Sequence, residues 1–71
     1  MDVDGTQSKV VMAVTKLGRK KGIAKPLEVV EECVALGLSE EDAKDAIDEM
    51  LQSGKLEHAD GSLHVAKEFD N

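Results

Sequence analysis

Apolar residues recur at intervals of three and four positions in three stretches of the chain, which is the spacing of one face of an α-helix. The first stretch begins at a capping residue, Thr6 or Ser8, and ends at Gly18. We therefore predict a first helix, followed by a polar connection over residues 18–22 whose two glycines give the backbone freedom. The apolar positions of this helix are Val10, Val11, Val14 and Leu17.

The second helix is predicted to follow a short extended segment, residues 23–25. A proline disfavours helical angles in the residue before it and suits the first position of a helix, so Pro26 marks the start. The periodicity carries this helix to about Leu36, and Gly37 is its predicted C-terminal cap. We expect Leu27, Val30, Cys33 and Val34 to be buried, and Glu28, Glu31 and Glu32 to face outward.

The third helix has the clearest boundaries. Ser39 can accept a hydrogen bond from an amide at the helix start, and the three acids that follow it complement the positive end of the helix dipole. Gly54 ends the helix, which we predict over residues 40–52. Its predicted buried face consists of Ala43, Ala46, Ile47, Met50 and Leu51.

After Gly54 the apolar period changes to two, which indicates strands near Leu56 and over residues 63–65. The pair Asp60-Gly61 between them is typical of a two-residue hairpin turn. The predicted order is helix, short strand, helix, helix, strand, strand. This order predicts an α+β fold of the winged helix-turn-helix type, with a short first strand that pairs with a C-terminal hairpin, the wing.

The composition indicates one small module without catalytic activity of its own. A chain of 71 residues allows a single domain and is too short to enclose a deep active site. We assign residues 1–5 to a linker, 6–66 to the domain and 67–71 to a C-terminal tail. The sequence has no apolar stretch of membrane-spanning length and no signal sequence, so we expect a cytoplasmic protein, associated with the nucleoid if it acts in replication, and no membrane partner.

Charge is distributed unevenly along the chain, which has a net charge of −6. Residues 1–25 hold six bases and two acids, whereas residues 26–71 hold three bases and thirteen acids. The predicted third helix carries six acids and one base, so we expect it to repel phosphates and the chain to bind DNA weakly or not at all.

Two clusters are candidate interaction sites. The candidate DNA-phosphate contacts are Lys16, Arg19, Lys20, Lys21 and Lys25, and the alternative is a solvated loop that balances the acidic helices. The candidate protein-docking residues are Glu40, Glu41, Lys44, Asp45 and Asp48, which would attract a basic partner, and the alternative is a surface that serves solubility.

Metal, cofactor and nucleophile sites are not expected. Cys33, His58 and His64 are the only strong soft or borderline metal ligands, and their number and spacing do not suit structural zinc. We expect Cys33 to be a core residue and the two histidines to be ordinary strand residues.

Several short motifs carry a resemblance to a known family. They are Asp2-Val3-Asp4 before the first helix, Gly37-Leu38-Ser39-Glu40-Glu41 entering the third, and Met50-Leu51 followed by Ser53-Gly54-Lys55-Leu56-Glu57. Over roughly residues 2–66 the chain resembles the C-terminal winged-helix domain of archaeal minichromosome maintenance (MCM) replicative DNA helicases. It departs from that pattern at the wing, where related domains often have a Pro-Gly-aromatic turn and this chain has Asp60-Gly61-Ser62-Leu63.

The resemblance implies a regulatory module joined by a flexible linker to an ATP-driven motor, with the motor or other replication proteins as partners. The chain itself contains no Walker motif or arginine finger. Two alternatives remain open: a free-standing winged-helix transcription regulator, and an interaction domain like the one that ends the middle subunit of eukaryotic replication protein A. A basic third helix or a self-complementary dimer surface would favour the regulator, and neither is visible.

Overall fold

Three helices precede an antiparallel hairpin in the computed structural model, which describes residues 3–66. The helices are α1 (Val3–Lys21), α2 (Pro26–Ala35) and α3 (Glu40–Ser53), and the strands are β1 (Leu56–Ala59) and β2 (Ser62–Val65). The α+β arrangement of three helices and a terminal hairpin is as predicted. The predicted tail, residues 67–71, lies outside the described residues.

Helix α1 is longer than predicted. It begins at Val3, within the segment assigned to a linker, and it continues through Gly18 to Lys21. Gly22, which follows the helix, has a φ of 77°. The prediction of a flexible loop over residues 18–22 is therefore wrong. A glycine inside a helix lowers the stability of the helix by only about 1 kcal/mol relative to alanine. The three bases of the last turn interact favourably with the negative end of the helix dipole.

The boundaries of α2 and α3 lie within one residue of the predicted ones, and the C-terminal cap of α2 is Leu36, one residue before the predicted Gly37. Pro26 occupies the first turn of α2, and the backbone N–H groups of Gly37 and Leu38 donate to carbonyls of its last turn, both at 3.0 Å. At the start of α3 the Ser39 hydroxyl accepts from the Asp42 N–H at 3.1 Å. Gly54 ends α3 in the left-handed conformation.

The hairpin turns at Asp60 and Gly61, which both have positive φ, 55° and 76°, as a two-residue turn of this kind requires. The predicted short first strand is not formed in residues 23–25. Instead, one backbone hydrogen bond joins this segment to the hairpin, from the Leu63 N–H to the Ala24 carbonyl at 2.9 Å. The Ala24 N–H donates to the Ser62 hydroxyl, also at 2.9 Å, so side chain and backbone share the attachment.

One core joins all five elements, with buried side chains from each. It consists mainly of Val10, Ala13, Val14, Leu17, Val29, Val30, Cys33, Ala43, Ala46, Ile47, Met50, Leu56 and Leu63. The predicted buried face of α3 is confirmed apart from Leu51, which is half-buried. No helix within residues 3–66 is both long and apolar enough to cross a bilayer.

The buried face of α2 differs from the prediction. Val29 is buried, whereas Leu27 is 70% exposed and Val34 is 47% exposed. The helix is rotated about its axis so that Glu28 and Glu32, predicted to face outward, are half-buried beside α1. The rotation places their carboxylates within reach of lysines of α1, and it leaves Leu27 at the surface.

Candidate functional site

The outward surface of α3 is acidic over residues 40–49. Each turn that places an alanine, isoleucine or methionine in the core places carboxylates on the opposite side. All six acids of α3 are exposed: Glu40, Glu41, Asp42, Asp45, Asp48 and Glu49. We call this surface the acidic face.

The predicted protein-docking residues all lie on this face, and few of its charges are neutralised. Its one base, Lys44, lies 3.6 Å from the Glu40 carboxylate, one turn away, with both side chains largely exposed. Asp48 accepts a hydrogen bond from the Gln52 amide at 3.1 Å, which orients the carboxylate without removing its charge. A pair this exposed contributes only about 0.2–1 kcal/mol, so Lys44 remains available to solvent and to partners.

An apolar groove borders the acidic face between α2 and α3. Its volume is about 240 Å³, and it is lined by Pro26, Leu27, Val30, Lys44, Ile47, Asp48 and Leu51. We call it the α2–α3 groove. Five of these residues are apolar, and two, Lys44 and Asp48, are charged. Sequence analysis missed this feature because it predicted that Leu27 is buried.

The five candidate phosphate contacts do not form one free cluster. Lys16 donates to the Glu32 carboxylate at 2.7 Å, and Lys21 lies 3.3 Å from the Glu28 carboxylate. Lys25 is exposed and immediately precedes α2, so it lies outside α1. Lys16, Arg19 and Lys20 border a second groove, between α1 and α2.

The ion pair between Lys16 and Glu32 changes the titration of the carboxylate. The hydrogen bond from the Lys16 ammonium holds the pKa of Glu32 below its usual value, partial burial opposes this effect, and the charges of Lys16 and Lys20 add to it. The pKa of the neighbouring Cys33 thiol is raised, mainly by the burial of Cys33 and secondly by the negative charge of Glu32. Cys33 is fully buried, as predicted for a core residue.

The structure does not bring the candidate metal ligands together. His58 pairs with Leu63 and His64 pairs with Glu57, so alternation along the strands places the two imidazoles on opposite faces of the hairpin. Cys33 belongs to α2, and its side chain is buried in the core. Within residues 3–66 no three histidine, cysteine or acidic side chains are grouped as a metal ion requires.

No protein-family model, curated protein or solved structure matches this chain. Its function is therefore inferred from the fold and from the surfaces of residues 3–66.

Proposed function

We propose that this chain is a winged-helix module that binds a protein partner and does not recognise DNA. In this proposal α2, the turn over residues 36–39 and α3 form the helix-turn-helix, and β1 with β2 forms the wing. The order of the elements supports it, as does the single core that joins the hairpin to the three helices.

The charge of the acidic face supports protein binding over DNA binding. In a DNA-binding winged helix this helix enters the major groove, where arginine, lysine, asparagine or glutamine contacts base edges and cations neutralise phosphates. Here the same surface presents six exposed carboxylates and one lysine. Glu57 and Asp60 add two exposed acids on the hairpin. Electrostatic repulsion therefore opposes duplex binding through either element.

The neighbouring groove indicates what kind of partner would fit. An amphipathic helix with basic residues would cover the exposed Leu27 with its apolar side and place its cations against Asp45 and Asp48. Burial of apolar surface would supply affinity, and the opposite charges would set orientation and raise the association rate.

The resemblance to the MCM C-terminal domain supplies the proposed partner, the ATP-driven motor of a replicative helicase. The module would regulate that motor by contact, without catalytic activity of its own and with DNA contact that is at most weak. Its proposed docking residues are those of the acidic face together with Leu27.

The test is calorimetric titration of this chain into the motor domain of an archaeal MCM helicase. We expect binding that weakens about tenfold in the double variant Asp45→Lys with Asp48→Lys, because both exposed charges are reversed. The matched control is Glu57→Lys, which reverses an exposed acid on β1 and should change the affinity less than twofold. Absence of binding to the motor, or equal effects of the two sets of substitutions, would refute the proposal.

A further inference from the structure

A second groove lies between α1 and α2 and plays no part in the function proposed above. Its volume is about 620 Å³, within the range of about 300–1,000 Å³ that is usual for ligand clefts. Its apolar lining comes from Val11, Met12, Ala13 and Leu36. Met12 is 56% exposed, and a flexible thioether of this kind adapts readily to the shape of a partner.

Cations from the C-terminal half of α1 border this groove. They are Lys16, Arg19 and Lys20, and the one acid of the lining, Glu32, is already paired with Lys16 at 2.7 Å. Arg19 and Lys20 are exposed, and within residues 3–66 neither side chain forms a hydrogen bond or an ion pair. The α1–α2 groove is therefore positively charged on a chain whose net charge is −6.

We infer that the α1–α2 groove binds an amphipathic helix that carries acidic residues. Its apolar side chains would cover Met12 and Leu36, and its carboxylates would meet Arg19 and Lys20. The guanidinium of Arg19 can bind a carboxylate through two parallel hydrogen bonds, which adds geometric selectivity. A helix in a groove is a common form of peptide recognition, and here the charge of the groove selects an acidic ligand.

Two other occupants fit the groove less well. A DNA backbone would satisfy Arg19 and Lys20, yet it would leave Met12 and Leu36 without an apolar partner. A second copy of this chain would have to offer its acidic face, whose helix has its apolar side chains, apart from the half-buried Leu51, in its own core. That face would place carboxylates over an apolar surface, which is unfavourable.

The proposal is tested with a synthetic amphipathic helical peptide of about 18 residues, with leucine on one face and glutamate elsewhere. The control peptide has lysine in place of glutamate, and a short DNA duplex is a third probe. We expect the glutamate peptide to shift the amide resonances of Met12, Arg19 and Leu36, and its affinity to fall as salt is raised.

Substitutions then locate the site. Arg19→Glu with Lys20→Glu should weaken the affinity for the glutamate peptide about tenfold, and Met12→Ser about fivefold. All three side chains are exposed, so the variants should fold. Lys25→Glu makes the same kind of charge change outside the groove and should alter the affinity less than twofold.

Several results would overturn the inference. One is equal binding of the lysine peptide, and another is full retention of affinity in the Arg19→Glu, Lys20→Glu variant. Groove shifts produced by the duplex and not by the glutamate peptide would assign the site to nucleic acid. Self-association lost in the same double variant would assign it to a second copy. The α3 variants Asp45→Lys and Asp48→Lys should leave peptide binding intact, so this test is separate from that of the proposed function.

Discussion

One buried hydroxyl contributes to the attachment of the hairpin to the α1–α2 connection, beside the backbone hydrogen bond between Leu63 and Ala24. Ser62 is 5% exposed, and its Oγ accepts from the Ala24 N–H at 2.9 Å and donates to the Leu63 carbonyl at 3.3 Å. Ser62→Ala removes the acceptor and leaves the Ala24 N–H buried without it, because Ala24 is fully buried. An unpaired buried amide costs about 1–3 kcal/mol. A domain of 71 residues has a total free energy of unfolding of about 4–11 kcal/mol, so the loss is a large fraction of it.

Urea unfolding followed by circular dichroism measures this loss. A small domain has an m-value of about 1 kcal/mol per molar urea, so Ser62→Ala should lower the midpoint by about 1–3 M. Ser53→Ala is the matched control, since that hydroxyl is at the exposed end of α3 and makes only a 3.4 Å bond to a helix carbonyl. The control should cost less than about 0.5 kcal/mol. Equal midpoints for the two variants would refute the role assigned to Ser62.

Gly18, Cys33 and Glu32 allow further tests. Gly18→Ala should stabilise the protein by about 0.5–1 kcal/mol in thermal unfolding, because Gly18 is an exposed helical residue with no atom within 4 Å of an added Cβ; destabilisation would contradict a continuous α1. Cys33 should resist alkylation at pH 8 in the folded protein and react in urea, because burial limits access and raises the pKa of the thiol; equal rates in both states would place it at the surface. The depressed pKa of Glu32 means that its contribution to stability is present above the pKa of the unfolded chain and is lost as pH falls through the folded pKa. Lys16→Ala should raise this pKa in a carboxyl carbon NMR titration, and an unchanged value would exclude the ion pair in solution.

Helices and turns that end at capping or turn-forming residues were predictable from the sequence. Ser39 and Gly54 bound α3, and Asp60 with Gly61 forms the hairpin turn, because these residues favour caps and positive φ wherever they occur. The prediction that Gly18 ends the first helix is wrong for the same reason. It is a frequent helix terminator, but its cost of about 1 kcal/mol is small beside the packing of Leu17 and the ion pairs between α1 and α2.

The rotation of α2 was not predictable from its own sequence. Leu27 and Val34 form an apolar stripe with Val30 at helical spacing, and Val29 forms another with Val30 and Cys33. Local periodicity does not distinguish between the two stripes, and the choice is made when α2 docks on α1 and α3. Both grooves and the pairing of Glu28 and Glu32 follow from that choice.

The candidate surfaces were predicted to different extents. Periodicity alone places the acids of α3 opposite its buried residues, so the acidic face was predicted residue by residue. Within the basic cluster, Arg19, Lys20 and Lys21 were predicted in a flexible loop, whereas they belong to α1. Glutamates of α2 pair with Lys16 and Lys21. Sequence separations of 16 and 7 residues in these pairs carry no local signal.

We propose that the outward surface of α3 binds protein and does not bind DNA. The most direct measurement is an amide NMR titration of the labelled chain with a short DNA duplex and, separately, with an archaeal MCM motor domain at physiological ionic strength. We expect the motor to shift or broaden the resonances of Leu27, Asp45 and Asp48, and the duplex to leave them unchanged. Saturable shifts of Glu41, Asp45 and Asp48 produced by the duplex, with none produced by the motor, would contradict it.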